Sequence, residues 1–255
     1  MSFELILQII SKYWPMLLRG AGVTLLVSII GTVFGFVIGL VVGVIRTIPV
    51  PERGAKRWIL KVANAVLSAY IEIFRGTPMI VQAMVIFYGS AQAFGLDMNR
   101  MVAAILVVSI NTGAYMAEII RGGIISIDKG QYEAAQAIGM NHTQTMFNVV
   151  LPQAIRNILP ATGNEFVINI KDTSVLNVIS VTELYFQTKS IAGSTFKFFE
   201  PFFIACIIYF IMTYSVTRIL RYLEKKMDGP ENYVLHAGQI QAEIPQNMQV
   251  RTKNG

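Results

Sequence analysis

The chain has 255 residues, 54% of them hydrophobic and 14% charged, with a mean hydropathy of +0.54. A soluble domain usually carries about 25% charged residues, so composition excludes a disordered chain and argues against an ordinary soluble enzyme. A single Cys excludes an internal disulfide, two His leave little for metal or triad chemistry, and the net charge is +6.

Residues 1–18 lack the basic start of a signal peptide. Phe3, Ile6, Leu7, Ile10, Trp14 and Leu17 recur at helical spacing, which predicts an amphipathic interfacial helix with Tyr13 and Trp14 at headgroup depth. Four runs then carry no Asp, Glu, Lys or Arg: 20–45, 76–96, 101–117 and 201–217. A spanning helix needs about 20 mostly apolar residues, so the chain reads as an all-α integral membrane protein. In the first run Gly31, Gly35, Gly39 and Gly43 repeat every fourth residue, a packing seam for another span, in this chain or in a partner.

Arg46, Arg53, Lys56, Arg57 and Lys61 follow the first run, and Arg218, Arg221, Lys225 and Lys226 follow the last. The positive-inside rule places both clusters in the cytoplasm, so this basic excess points to a membrane surface and not to nucleic acid. Parity then requires a fifth span, expected at 159–179, where Glu165, Lys171 and Asp172 interrupt the apolar pattern. The N-terminus is expected outside and the C-terminus inside. Residues 57–74 read as a helix approaching the membrane, with the second span starting near Pro78. From Asp228 on, the polar residues with Gly229, Pro230 and Pro245 read as a flexible cytoplasmic tail over 228–255.

Between the third and fourth spans, residues 122–156 form a cytoplasmic loop. Asp128 is placed to cap a helix that carries Glu133, Ala134 and Ala135, with Gly139 as its left-handed stop. Glu133-Ala134-Ala135, three residues, Gly139, nine residues, Val149, one residue and Leu151-Pro152 resemble the EAA motif of ABC importer permeases. Val149 stands where that motif has Ile. Arg75-Gly76-Thr77-Pro78 with Gln82, Ala114-Tyr115-Met116-Ala117-Glu118 with Arg121-Gly122, and Lys171-Asp172-Thr173-Ser174 are similar to motifs of the polar amino acid subfamily, which takes up histidine, arginine, glutamine and cystine. The resemblance covers about residues 16–226, within a permease domain at 19–227.

The resemblance implies the type I importer permease fold with five transmembrane helices, in a bacterial cytoplasmic (inner) membrane. It implies a second permease chain, identical or related, a cytoplasmic ABC ATPase dimer, and an external or periplasmic binding protein that delivers an amino acid. Glu133, Ala134, Ala135 and Gly139 would form the coupling helix that docks on the ATPase. No G-x-x-x-x-G-K-[ST] loop occurs, so ATP and Mg are expected on the partner and no cofactor on this chain. The subunit is expected to be non-catalytic.

In the fourth span Thr162, Glu165, Asn169, Asp172 and Thr173 fall on one helical face, and Lys171 lies about 100° from Asp172. Ionisable groups at that depth cost about 2.5–3.5 kcal/mol each and face protein or water. Glu165, Asn169, Lys171, Asp172 and Thr173 are therefore candidates for a solute pathway. The competing reading is a structural ion-pair network, Glu165 or Asp172 with Arg75, or Lys171 with Asp172. Arg75, Gly76, Thr77 and Pro78 read as a structural motif at the membrane boundary. A self-sufficient channel or ion-coupled carrier is the alternative function. Five spans without a visible inverted repeat weigh against it.

Overall fold

The computed structural model describes residues 3–227, and among them every regular element is helical. The expected tail at 228–255 lies outside the described residues. Helix α1 (Phe3–Ile45) runs unbroken for 43 residues, about 65 Å. The N-terminal stretch is continuous with the first apolar run in this one helix. Ile6, Ile9 and Leu17 are buried in one core with Ile170, Leu184, Ile191, Ile204 and Met212, so protein covers Ile6 and Leu17 of the apolar stripe that sequence assigned to the interface. Leu7, Ile10 and Trp14 of the same stripe remain exposed.

The glycine seam closes within the chain. A Cβ on Gly31 would meet Val108, on Gly35 Thr112, on Gly39 Met116, and on Gly43 Ala117 and Ile120. All five partners lie on α4 (Arg100–Ile125), the helix most extensively packed on α1.

Helices α2 (Ala55–Gly76) and α3 (Met79–Phe94) meet at 113° across Thr77 and Pro78. Pro78 caps α3 with an extended backbone, which ends one helix and starts the next. The 16 residues of α3 rise about 24 Å, short of a roughly 30 Å hydrocarbon core. A span beginning at Pro78 is thus short alone, and by length and composition α2 and α3 pass only as a bent pair, which has the form of a broken span or of a re-entrant loop. By length and composition, Glu4–Ile45, Arg100–Ile125 and Phe199–Lys226 are each able to cross a membrane.

The loop after α4 holds α5 (Lys129–Ala137) and the single turn α6 (His142–Thr145), and then a π-type turn leads into α7 (Leu151–Asp172). A 3-10 turn (Thr173–Ile179) continues α7 over the stretch where the fifth span was expected. Helices α8 (Leu184–Thr195) and α9 (Phe199–Met227) complete the described chain. Glu183, fully buried, caps α8 by accepting from the Tyr185 and Phe186 N–H groups and from the Tyr209 hydroxyl. That one carboxyl ties α8 to α9, while the Leu184 N–H donates to Thr24 of α1 at 3.2 Å.

Candidate functional site

The polar stripe of α7 divides into two edges. Glu165 is half-buried and Asp172 exposed, while Asn169 and Thr173 are buried. Seven residues are two helical turns less about 20°, so Glu165 and Asp172 align, whereas Asn169 and Thr173 lie further round. Asn169 is buried between helices. Its amide nitrogen donates to Thr32 Oγ1 at 2.8 Å and lies 3.0 Å from Thr112 Oγ1, joining α7 to α1 and α4. Thr173 turns its hydroxyl to the Ile170 carbonyl at 3.0 Å. Lys171, beside the stripe as expected, lines a groove against α9 with Arg218 and Arg221 and lies within electrostatic reach of Asp172.

The other edge gathers charge. Arg75, at the end of α2, lies within electrostatic reach of Glu165, as does Asp172. The Arg75 guanidinium sits over the Tyr115 ring of α4, 5.4 Å from its centroid. This cation–π contact holds the head of a long, exposed side chain beside the carboxylates. Neither expected ion pair forms. Among the described residues the salt bridges are Arg46–Glu118 and Arg121–Glu118, and Arg75, Glu165, Lys171 and Asp172 take part in none. Arg75 and Asp172 both lie within electrostatic reach of Glu165, and none of the three side chains makes a hydrogen bond or ion pair that holds the others among the described residues.

What fixes Arg75 there is a polar clamp on the break between α2 and α3. Buried Gln82 donates its amide to the Phe74 and Thr77 carbonyls, each at 2.9 Å. Asn111 of α4 donates to Gln82 Oε1 at 2.9 Å and to the Phe74 carbonyl at 3.2 Å. Carbonyls that a broken helix leaves unpaired are thus satisfied inside the protein, as a bilayer requires. Sequence reasoning has Gln82 only as part of a motif, and it allows Asn111, in the third apolar run, either to bond between helices or to line a pathway. Their position inside otherwise apolar runs was the available signal. It also counted Arg46 as a topology charge alone. In the structure Arg46 meets Glu118, which also accepts from Arg121 at 2.9 Å, and donates to Ser68 Oγ at 3.3 Å. That cluster binds α1, α2 and α4 just before the loop.

In the loop, Asp128 caps α5 by accepting from the Gly130 N–H at 2.7 Å. Gly139 takes φ 82° where α5 stops, and the Met140 N–H closes onto the Ala135 carbonyl at 3.0 Å. Ala135 is buried, which seats α5 on the body, and Glu133 and Ala134 are left exposed on the helix. Ile138 and Phe147, 75% and 68% exposed, add apolar area to a surface otherwise polar. Asn141 and Gln144 form a reciprocal capping box that orders the following turn. His142 is exposed, and no group of three metal-binding side chains occurs among the described residues.

Residues 53–229 match the family described as binding-protein-dependent transport system inner membrane component. The chain is 41% identical over 221 residues to the glutamine transport system permease protein GlnP of Escherichia coli, covering 85% of this chain and 96% of that one. It is 37% identical over 158 residues to the arginine transport system permease protein ArtQ of Bacillus subtilis, covering 62% and 72%. Among solved structures, an amino acid ABC transporter crystallised with histidines superposes with a TM-score of 0.76 at 37% identity, covering 85% of this chain and 96% of that chain. The MetNI methionine ABC transporter superposes at 0.66 with 22% identity, over 83% of this chain and 97% of that one, which shows the shared fold. An all-helical chain with span-length helices, an ordered EAA loop and these relatives belongs to the family of inner membrane components of binding-protein-dependent transport systems.

Proposed function

We propose that this chain is the membrane-spanning, non-catalytic permease subunit of an ATP-driven importer of polar amino acids in a bacterial inner membrane. The glutamine and arginine permeases among its relatives support the solute class. The observation that supports it in the structure is Glu165, with Arg75 and Asp172 both within electrostatic reach of it and no closed ion pair among the three. An amino acid zwitterion supplies the missing partners. Arg75 binds the α-carboxylate as a fork, and Glu165 and Asp172 take the α-ammonium. A solute that covers these groups is favoured when it pairs with them over one lacking either charge.

Energy enters from a separate ATPase. Glu133, Ala134 and Gly139 form the coupling surface on which it docks, with Ala135 seating the helix on the body and the Glu133 carboxylate available to donors on the partner. A second permease chain completes the pathway, and an external binding protein delivers the solute. The test is uptake of radiolabelled amino acids into proteoliposomes holding this chain, the ATPase and the binding protein. Uptake should require ATP and all partners, and polar amino acids should compete. Uptake by this chain without the ATPase would overturn the reading in favour of a self-sufficient channel or carrier.

A further inference from the structure

The groove between α7 and α9 shares no lining residue with the Arg75 cluster, and its Lys171 lies within electrostatic reach of Asp172. The groove is a cavity of about 290 Å³ lined by Val167, Lys171, Phe210, Tyr214, Thr213 and Thr217, with Arg218 and Arg221 at its end. Three cations therefore converge on one small space, and none of them forms a salt bridge among the described residues. Two threonine hydroxyls stand beside them. Arg218 is held in place, its guanidinium 4.9 Å from the centroid of the Tyr214 ring.

Position decides the ligand. Arg218 and Arg221 follow the last apolar run, at the expected cytoplasmic edge of the bilayer, and Lys171 reaches toward them from within its own helix. Exposed Ile207, Phe210, Ile211 and Ile219 continue the surface of α9 above and beside the groove, a face suited to acyl chains. We propose that this groove binds the headgroup of an anionic phospholipid from the cytoplasmic leaflet. The phosphate is held by Arg218, Arg221 and Lys171, with the Thr213 and Thr217 hydroxyls as further donors. No lining residue is shared with the proposed solute cluster, so this assignment does not rest on that function.

Native mass spectrometry of the full-length chain, purified with its partner subunits, reads the binding directly. With dioleoylphosphatidylglycerol and dioleoylphosphatidylcholine supplied in equal amounts, phosphatidylglycerol should be retained selectively. The Arg218→Gln/Arg221→Gln pair should weaken retention about tenfold. Arg218→Lys/Arg221→Lys keeps the charge and should retain the lipid, which guards against a pair that merely misfolds. Equal loss from Lys225→Gln/Lys226→Gln, which lie outside the groove, would show diffuse surface attraction and overturn the proposal. So would displacement of the lipid by inorganic phosphate, which would mark a site for free anions, or by the transported amino acid, which would place the groove on the solute pathway.

Discussion

Asn169 donates its side-chain amide to Thr32 across 137 residues of sequence, at 2.8 Å and fully inside the helix packing. The same nitrogen lies 3.0 Å from Thr112 Oγ1, so one side chain pins three helices together. An interhelical hydrogen bond in a membrane contributes about 0.6 kcal/mol and at most about 1.7 kcal/mol. Asn169→Leu should therefore lower the thermal midpoint of the detergent-solubilised protein by an amount matching about 1–3 kcal/mol, with KM for uptake unchanged. An unchanged midpoint with a raised KM would return Asn169 to the solute pathway.

Glu165 and Arg75 should behave in the opposite way. A hydrogen bond to a charged group is worth about 1.5–3 kcal/mol, or about 10- to 100-fold in affinity. Glu165→Gln and Arg75→Gln should each raise KM for amino acid uptake within that range, and the midpoint should move little. Normal KM in both variants would remove these residues from the solute site.

Glu133 separates transport from binding in a different manner. It is exposed on α5 and accepts no hydrogen bond within the chain among the described residues, so its removal costs the fold little. Glu133→Ala should weaken co-purification of the ATPase and lower ATP-dependent uptake about tenfold, for the loss of one charged contact. Full uptake with intact assembly would place the docking contact elsewhere on the loop.

Gly39 tests the seam between α1 and α4. A Cβ there would lie 2.8 Å from the Met116 carbonyl carbon and 2.9 Å from the Ala117 nitrogen, backbone atoms that cannot move aside. Gly39→Ala should cost about 1–3 kcal/mol through forced separation of the helices. Gly22, with nothing within 4 Å of an added Cβ, is the control and should tolerate Ala. Equal midpoints for the two variants would contradict close packing at Gly39.

Glu183 supplies a pH dependence. Burial pushes its carboxyl up to about 7, against the pull of the Tyr185 and Phe186 N–H groups and the Tyr209 hydroxyl. The folded chain thus holds this proton more tightly than the unfolded chain does. Its contribution to stability is complete below the ordinary carboxylate range and is lost as pH rises through about 7. Between about pH 5 and pH 8 the thermal midpoint of the natural protein should fall more steeply than that of Glu183→Gln. Parallel curves would mean that Glu183 does not titrate in the fold.

Much of this architecture could be read from residue order. The Asp128 cap, the Gly139 stop and the exposed Glu133 follow from local rules, since each depends on neighbours a few residues away. The glycine seam was visible as a period of four, but its partner was not, because α4 lies more than sixty residues further along the chain. The stripe on α7 was read too broadly. Helical angle separates Glu165 and Asp172 from Asn169 and Thr173, but whether an edge is open or covered depends on what packs there. Arg46 and Glu183 went unassigned because their partners, Glu118 and Tyr209, come from distant helices. Long-range pairs of single side chains leave no local pattern.

The short joint between α4 and α5 gives the clamp at the break between α2 and α3 a mechanical meaning. Only Ser126, Ile127 and Asp128 separate the two helices, and Ile127 is packed into a core with Met146 and Val150. A joint so brief and so tightly held transmits displacement and does not absorb it. Helix α4 is then a stiff rod about 39 Å long. In the proposed docking at Glu133 one end of the α4–α5 unit receives the push, and the middle of α4 carries Asn111, the side chain that grips the corner where Arg75 begins. Any stroke delivered at the cytoplasmic surface arrives at that corner as movement of the arginine itself.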